Sequence, residues 1–227
     1  MQPYFLPYIG YFQLIAAVDR FIVYDNIKYT KKGWINRNRM LLNGTDAMFS
    51  LPLQSGSDSM PVCERELAPD FKREKLVNQL QGAYRRAPFF SGTMPLLEQI
   101  IRFTDENLFR YIHHSICQIC KHLEINTGIV VSSSMPIDHE LKGQDKVLAL
   151  CVASQASTYI NAIGGTELYS RETFSEQRVA LQFIKSKPFE YPQFDNPFVP
   201  WLSIVDVLMF NELGTVQDRV FSGFELV

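Results

Sequence analysis

The chain has no apolar run near the roughly 18–20 residues that cross a bilayer. Its opening stretch, MQPYFLPYIGYFQLIAAVDRF, is apolar. It lacks a basic flank and a cleavage site and is broken by Pro3 and Pro7, so no signal peptide is expected. Charge of one sign is also missing: 22 Lys and Arg against 24 Asp and Glu leave a net charge of −2. That excludes a broad basic surface for nucleic acid and leaves room for a local anion site. The four cysteines, Cys63, Cys117, Cys120 and Cys151, are too few and too irregular for a secreted disulfide scaffold. A cytoplasmic protein with no membrane span is the expectation. There is no G-x-G-x-x-G, no G-K-[ST] and no G-x-S-x-G, which removes the usual dinucleotide, P-loop and hydrolase signatures.

What is present is a chain of 227 residues, 46% hydrophobic, long enough to bury a core without disulfides or metals. Apolar spacing predicts a helix over 10–20, and the β-rich run Phe21-Ile22-Val23-Tyr24 predicts a buried strand ending at Asp25. Asn43-Gly44 between Trp34–Leu42 and Ala47–Leu53 predicts a hairpin. Helices follow over 71–86, 94–103 and 106–125. Gly128–Val131 reads as a strand, followed by three serines. After a helix over 145–154 come a strand over 157–161, a Gly164-Gly165 loop, a helix from Glu167 and a strand over 179–184. That order is an α/β crossover. A helix over 203–212 closes the series. The expected fold is α/β: a parallel or mixed sheet of Rossmann-like crossover units, with a β-hairpin in the N-terminal half. It forms one domain over 1–227, with a mainly helical segment at about 64–127.

The densest candidate site lies early in the chain. Asp25 sits just past a buried strand, where open α/β sheets place functional groups. Lys28, Lys31, Lys32, Arg37 and Arg39 follow it, interleaved with Tyr29, Trp34, Asn36 and Asn38. Arg suits bidentate phosphate binding, Asn offers donors and acceptors, and Trp can stack on a base or sugar. A solvated hairpin carrying a few cations is the plain alternative; alternating Asn and Arg along a strand favours a ligand.

Pro7 to Gly10 precedes a helix, and N–H groups at a helix start can hold an anion. The spacing is similar to the turn of HIGH-type nucleotidylyltransferases, with Tyr8 and Tyr11 where those enzymes have histidines. Gly164 and Gly165 stand where a phosphate cradle would, though a tight turn explains them equally. Cys117-x-x-Cys120 near His113, His114 and His122 reads as a helix bordering the buried stripe of Ile112, Ile116, Ile119 and Leu123; no second Cys pair completes a zinc site. No metal ligand is assigned. His139, between Asp138 and Glu140, falls in a polar loop.

Taken together, QPYFLPYIGYFQLI at 2–15, Asp19, Tyr24-Asp25, Tyr29-Thr30-Lys31 and GWINRNR at 33–39 resemble the WbqC-like family. Tyr159-Ile-Asn161, Gly164-Gly165, Leu168-Tyr169, Tyr191-Pro-Gln193 and Leu202-Ser-Ile-Val-Asp206 resemble its C-terminal part, in order. The resemblance implies a bacterial protein of O-antigen, capsule or other surface-glycan biosynthesis, acting as a transferase on a nucleotide-linked or otherwise activated amino sugar. Relatives carry a short apolar strand ahead of the Gln-Pro, so a truncated start is expected.

In that setting Asp25, Lys28 and Arg37 are the candidate catalytic residues. Gln2, Tyr11, Trp34, Asn36, Asn38, Arg39, Gly164, Gly165 and Asp206 would bind substrate. No cofactor is assigned, though Mg²⁺ would accompany a nucleotide-linked donor. The partner is a small phosphorylated donor rather than nucleic acid, and the balance leans to a homodimer. A non-catalytic subunit of a glycan-assembly complex, docking through Tyr4, Phe5, Tyr8, Tyr191 and Phe194, is the second reading.

Overall fold

The computed structural model describes every residue except 58. Helix α1 (Ile9–Ala16) leads into strand β1 (Arg20–Val23). The hairpin β2 (Arg37–Leu42) and β3 (Thr45–Ser50) follows, then helices α2 (Arg73–Tyr84), α3 (Phe90–Ile101) and α4 (Leu108–His122). Strand β4 (Gly128–Val131) ends in a 3-10 turn at Ser132–Ser134. Helix α5 (Gly143–Ala153), β5 (Thr158–Ala162), a 3-10 turn over Ile163–Leu168, α6 (Arg171–Glu176) and β6 (Ala180–Ser186) complete the crossover. Helices α7 (Ile204–Phe210) and α8 (Leu213–Ser222) and strand β7 (Phe224–Leu226) close the chain.

The mixed α/β expectation holds. Strand β1 pairs in parallel with β4, from Arg20 opposite Gly128 to Val23 opposite Val131. The whole helical middle of the chain is therefore the connection between two parallel neighbours. Strands β5 and β6 are likewise parallel, and β7 adds to β6 antiparallel. Between these two sheets the edges of β1 and β5 face one another across a cleft of about 530 Å³, walled also by Leu14 of α1, by Val18 just after it, and by Leu150 and Cys151 of α5. Met1 runs along β1 there, its amine donating to the Ile22 carbonyl at 2.7 Å and its carbonyl accepting from Tyr24 N at 2.8 Å.

The hairpin turns where Asn43-Gly44 predicts, with φ of 51° and 77°. Positive φ at both central residues matches the right-handed twist of the arms. The arms are shorter than predicted: Trp34, Ile35 and Asn36 stay outside β2. Helix α4 buries Leu108, Tyr111, Ile112, Ser115, Ile116 and Ile119 on one face, a stripe of helical period. Asn107 caps its start, accepting from Arg110 N at 3.0 Å. One predicted element is corrected. No helix begins at Glu167, because α6 starts at Arg171, where the Ser170 side chain caps it. Asp206 lies inside α7, fully buried.

Candidate functional site

Parallel strands β1 and β4 end side by side, so the residues just beyond them meet. Asp25 follows β1, Ser132 follows β4, and the Asp25 Oδ1 accepts from Ser132 Oγ at 2.9 Å and from Ser133 N at 3.0 Å. Asp25 is 6% exposed. Burial alone would raise its carboxyl, but the hydrogen bonds from Ser133 and Ser132 outweigh that and hold it below its ordinary value. Asp25 is therefore a fixed, ionised acceptor at the C-terminal ends of two strands.

Asn26 extends the network. Its amide nitrogen lies 3.0 Å from His139 Nδ1, and His139 Nε2 lies 3.1 Å from the Met135 carbonyl. A carbonyl only accepts, so Nε2 carries the proton and Nδ1 accepts from Asn26. Lys146, almost fully buried, donates to the His139 carbonyl at 3.0 Å and lies 5.9 Å from the centre of the Tyr24 ring. Burial, then the neighbouring Tyr169 and Cys151, raise the Tyr24 phenol. Tyr169 follows the Gly164-Gly165 turn and accepts from Tyr159 of β5 at 3.3 Å. Of these groups Tyr24, just past β1, and Tyr159 of β5 line the cleft itself.

The hairpin residues divide by face. Arg37 and Arg39 point outward around Trp34, their guanidinium carbons 5.9 and 5.8 Å from its ring centre. Lys28 is exposed. Asn38 points inward, its amide donating to the Phe5 and Leu6 carbonyls at 3.3 and 2.9 Å while its oxygen accepts from Arg39 N at 2.9 Å. Leu6 has φ 44°, a backbone that a bulky L-residue rarely adopts; Asn38, with Ser203 Oγ on the Leu6 carbonyl at 2.6 Å, holds it. Asn36 is engaged by Tyr29 Oη at 2.8 Å and by the Leu51 carbonyl at 2.7 Å.

Tyr11 is buried, donating to the Gln2 carbonyl at 2.9 Å. The Gln2 side chain accepts from Tyr4 at 3.2 Å. Gly164 is exposed; Gly165 is buried, and a Cβ there would sit 2.7 Å from the Asn161 amide nitrogen. Asp206 accepts from Tyr84, Tyr191 and Gln193 at 2.9, 2.8 and 2.6 Å. Burial raises its carboxyl, with Tyr191, Gln193 and Tyr84 opposing that rise. This is an internal hub of the α2–α7 packing, with no face turned to a ligand.

The sequence reading thus places Asp25 correctly at a strand end and misses its partners Ser132 and Ser133, as well as Asn26 and Lys146 in the network around them. One signal was available: the serine run follows an apolar strand just as Asp25 does. The aromatic docking surface does not form as such. Phe5 is fully buried, and Tyr191 and Phe194 pack against Phe210 with ring centres 6.3 and 4.8 Å apart.

The described residues contain no helix long and apolar enough to cross a membrane. The chain is 29% identical over 216 residues to a Mycobacterium tuberculosis (strain ATCC 25618 / H37Rv) protein named "Uncharacterized protein Rv1507c", covering 93% of this chain and 91% of that one. No solved structure matches it. The model of the WbqC-like protein family matches residues 2–218, and the chain belongs to that family.

Proposed function

We propose that this protein is a transferase of bacterial surface-polysaccharide biosynthesis that takes a nucleotide-linked or otherwise activated amino sugar. Its chemistry would be centred on Asp25, where β1 and β4 end. The observation that carries the reading is the buried Asp25 carboxylate, fixed by Ser132 and Ser133 at the adjoining ends of two parallel strands. Carboxyl ends of strands in open α/β sheets are where ligands bind.

A carboxylate with a lowered pKa is a weak proton acceptor but a strong, preorganised hydrogen-bond acceptor. Asp25 therefore orients a hydroxyl or amino group of the sugar, and its negative charge favours positive charge developing on an attacking group. Arg37 supplies the anion contact: its Nε is held by the Gly33 carbonyl at 2.9 Å, which fixes the guanidinium plane and presents its terminal nitrogens to phosphate. Lys28, exposed on the same segment, adds a movable charge. His139 has both ring nitrogens engaged and positions Asn26.

Calorimetric titration with a panel of nucleotide sugars and sugar phosphates, with and without Mg²⁺, tests this. Saturable binding that weakens about ten-fold or more in Arg37→Ala, with turnover lost in Asp25→Asn while binding persists, supports the transferase. A folded protein that binds none of these donors overturns it in favour of a non-catalytic subunit.

A further inference from the structure

Trp201 was no part of the sequence-based site, and it is the most conspicuous residue near it. Its backbone has φ 61°, a region that bulky L-residues rarely enter, and its indole is 64% exposed. Folding normally gains by burying an indole. Here the chain instead holds a strained backbone that leaves the ring in water. The strain is held by β2: Arg39 Nη2 donates to the Trp201 carbonyl at 3.1 Å, and two residues on, Ser203 N donates to the Arg39 carbonyl at 2.9 Å. Tyr8 braces the indole edge-on, ring centres 5.9 Å apart at 65°. Tyr8 in turn lies against Gly10, where any Cβ would collide with its ring.

The same Arg39 guanidinium covers Trp34, which is 41% exposed. Arg39 Nε is buried with no partner among the described residues. Asp46 holds Nη1 only through a solvent-exposed contact of 3.3 Å, a kind of pair that contributes little and can be displaced. One guanidinium thus lies over the Trp34 ring and donates to the Trp201 backbone carbonyl, and a second, that of Arg37, also lies over Trp34. A neutral sugar would use the rings but not the two cations. A free phosphate would use the cations but not the rings. A nucleotide uses both, since every base has a π-face that stacks on indole and guanidinium alike.

We propose that Trp201 and Trp34, bridged by Arg39, form the stacking site for the base of a nucleoside diphosphate whose phosphates are held by Arg37. This rests on the activated-sugar reading above and narrows it, because it makes the carrier of the sugar a nucleotide.

The chain has two tryptophans, and both belong to this site, so intrinsic fluorescence reports it without labels. Uridine and guanosine diphosphate are titrated into Trp34→Phe and Trp201→Phe, each of which keeps one reporting ring. Saturable quenching is expected in both proteins. Trp201→Ala, shown to be folded by circular dichroism, should bind the better diphosphate about ten-fold or more weakly and inorganic pyrophosphate as the parent does. Nucleotide binding that leaves both emissions unchanged and survives Trp201→Ala overturns this site and leaves the transferase reading intact. Binding of a sugar 1-phosphate but of neither nucleotide has the same meaning. Failure of every nucleotide, nucleotide sugar and sugar phosphate to bind overturns both.

Discussion

The Ser132 hydroxyl stands 2.9 Å from the Asp25 carboxylate, tying together residues 107 positions apart. The contact exists because β1 and β4 are parallel neighbours in register, Val23 opposite Val131. Whatever follows one strand therefore meets whatever follows the other. Removing that hydroxyl with Ser132→Ala should cost about 1.5–3 kcal/mol at neutral pH, the range for a hydrogen bond to a charged group. Because the folded carboxyl titrates below its ordinary value of 3.8, the stabilisation is present above that pH and lost as pH falls through the folded value. Urea unfolding at pH 7 and near pH 3 checks it: the gap between wild type and variant should shrink in acid.

Asp206 should behave in the opposite sense. Its carboxyl is raised by burial, so folding favours the protonated form, and the group's contribution declines as pH rises from 3.8 through the folded value. Asp206→Asn removes the buried charge and should flatten that pH dependence in the same unfolding series. Asp206→Ala strands the donors on Tyr84, Tyr191 and Gln193 and should destabilise by at least about 2 kcal/mol.

Asn38→Ala removes contacts to the Phe5 and Leu6 carbonyls and to Arg39 N. It should lower stability by about 2–3 kcal/mol, and its effect on donor affinity should follow only from the loss of folded protein. Arg37→Ala should show the reverse: near-normal unfolding with weakened donor binding. Chemical denaturation and calorimetry on the same two variants separate a residue that holds the QPYFLPY turn from one that holds a ligand.

How much of this could be read from the residues depends on range. The Asn43-Gly44 turn and the α4 stripe were legible, because turn chemistry and a helical period are local properties. Asp25 was legible because a strand end is visible in one short run. Ser132 and His139 were not, since their partners lie over a hundred positions away across a parallel pairing that no period reveals. Asn36 and Asn38 looked alike in the strand pattern, yet burial turned Asn38 into a support for a strained backbone. Trp201 stands outside any periodic segment, and only its positive φ and exposure mark it. Helix α8 and strand β7 were missed because the predicted elements stop with the helix over 203–212.

Thermal-shift screening against nucleotide sugars, sugar phosphates and free nucleotides, run on wild type and Arg37→Ala, tests the central claim most directly. A ligand at about 100 times its Kd adds about 2.7 kcal/mol to the folded state, which raises the midpoint by several degrees for a chain of this length. The transferase account predicts such a rise from one donor class, lost in Arg37→Ala. A folded wild type whose midpoint no activated sugar moves would contradict it.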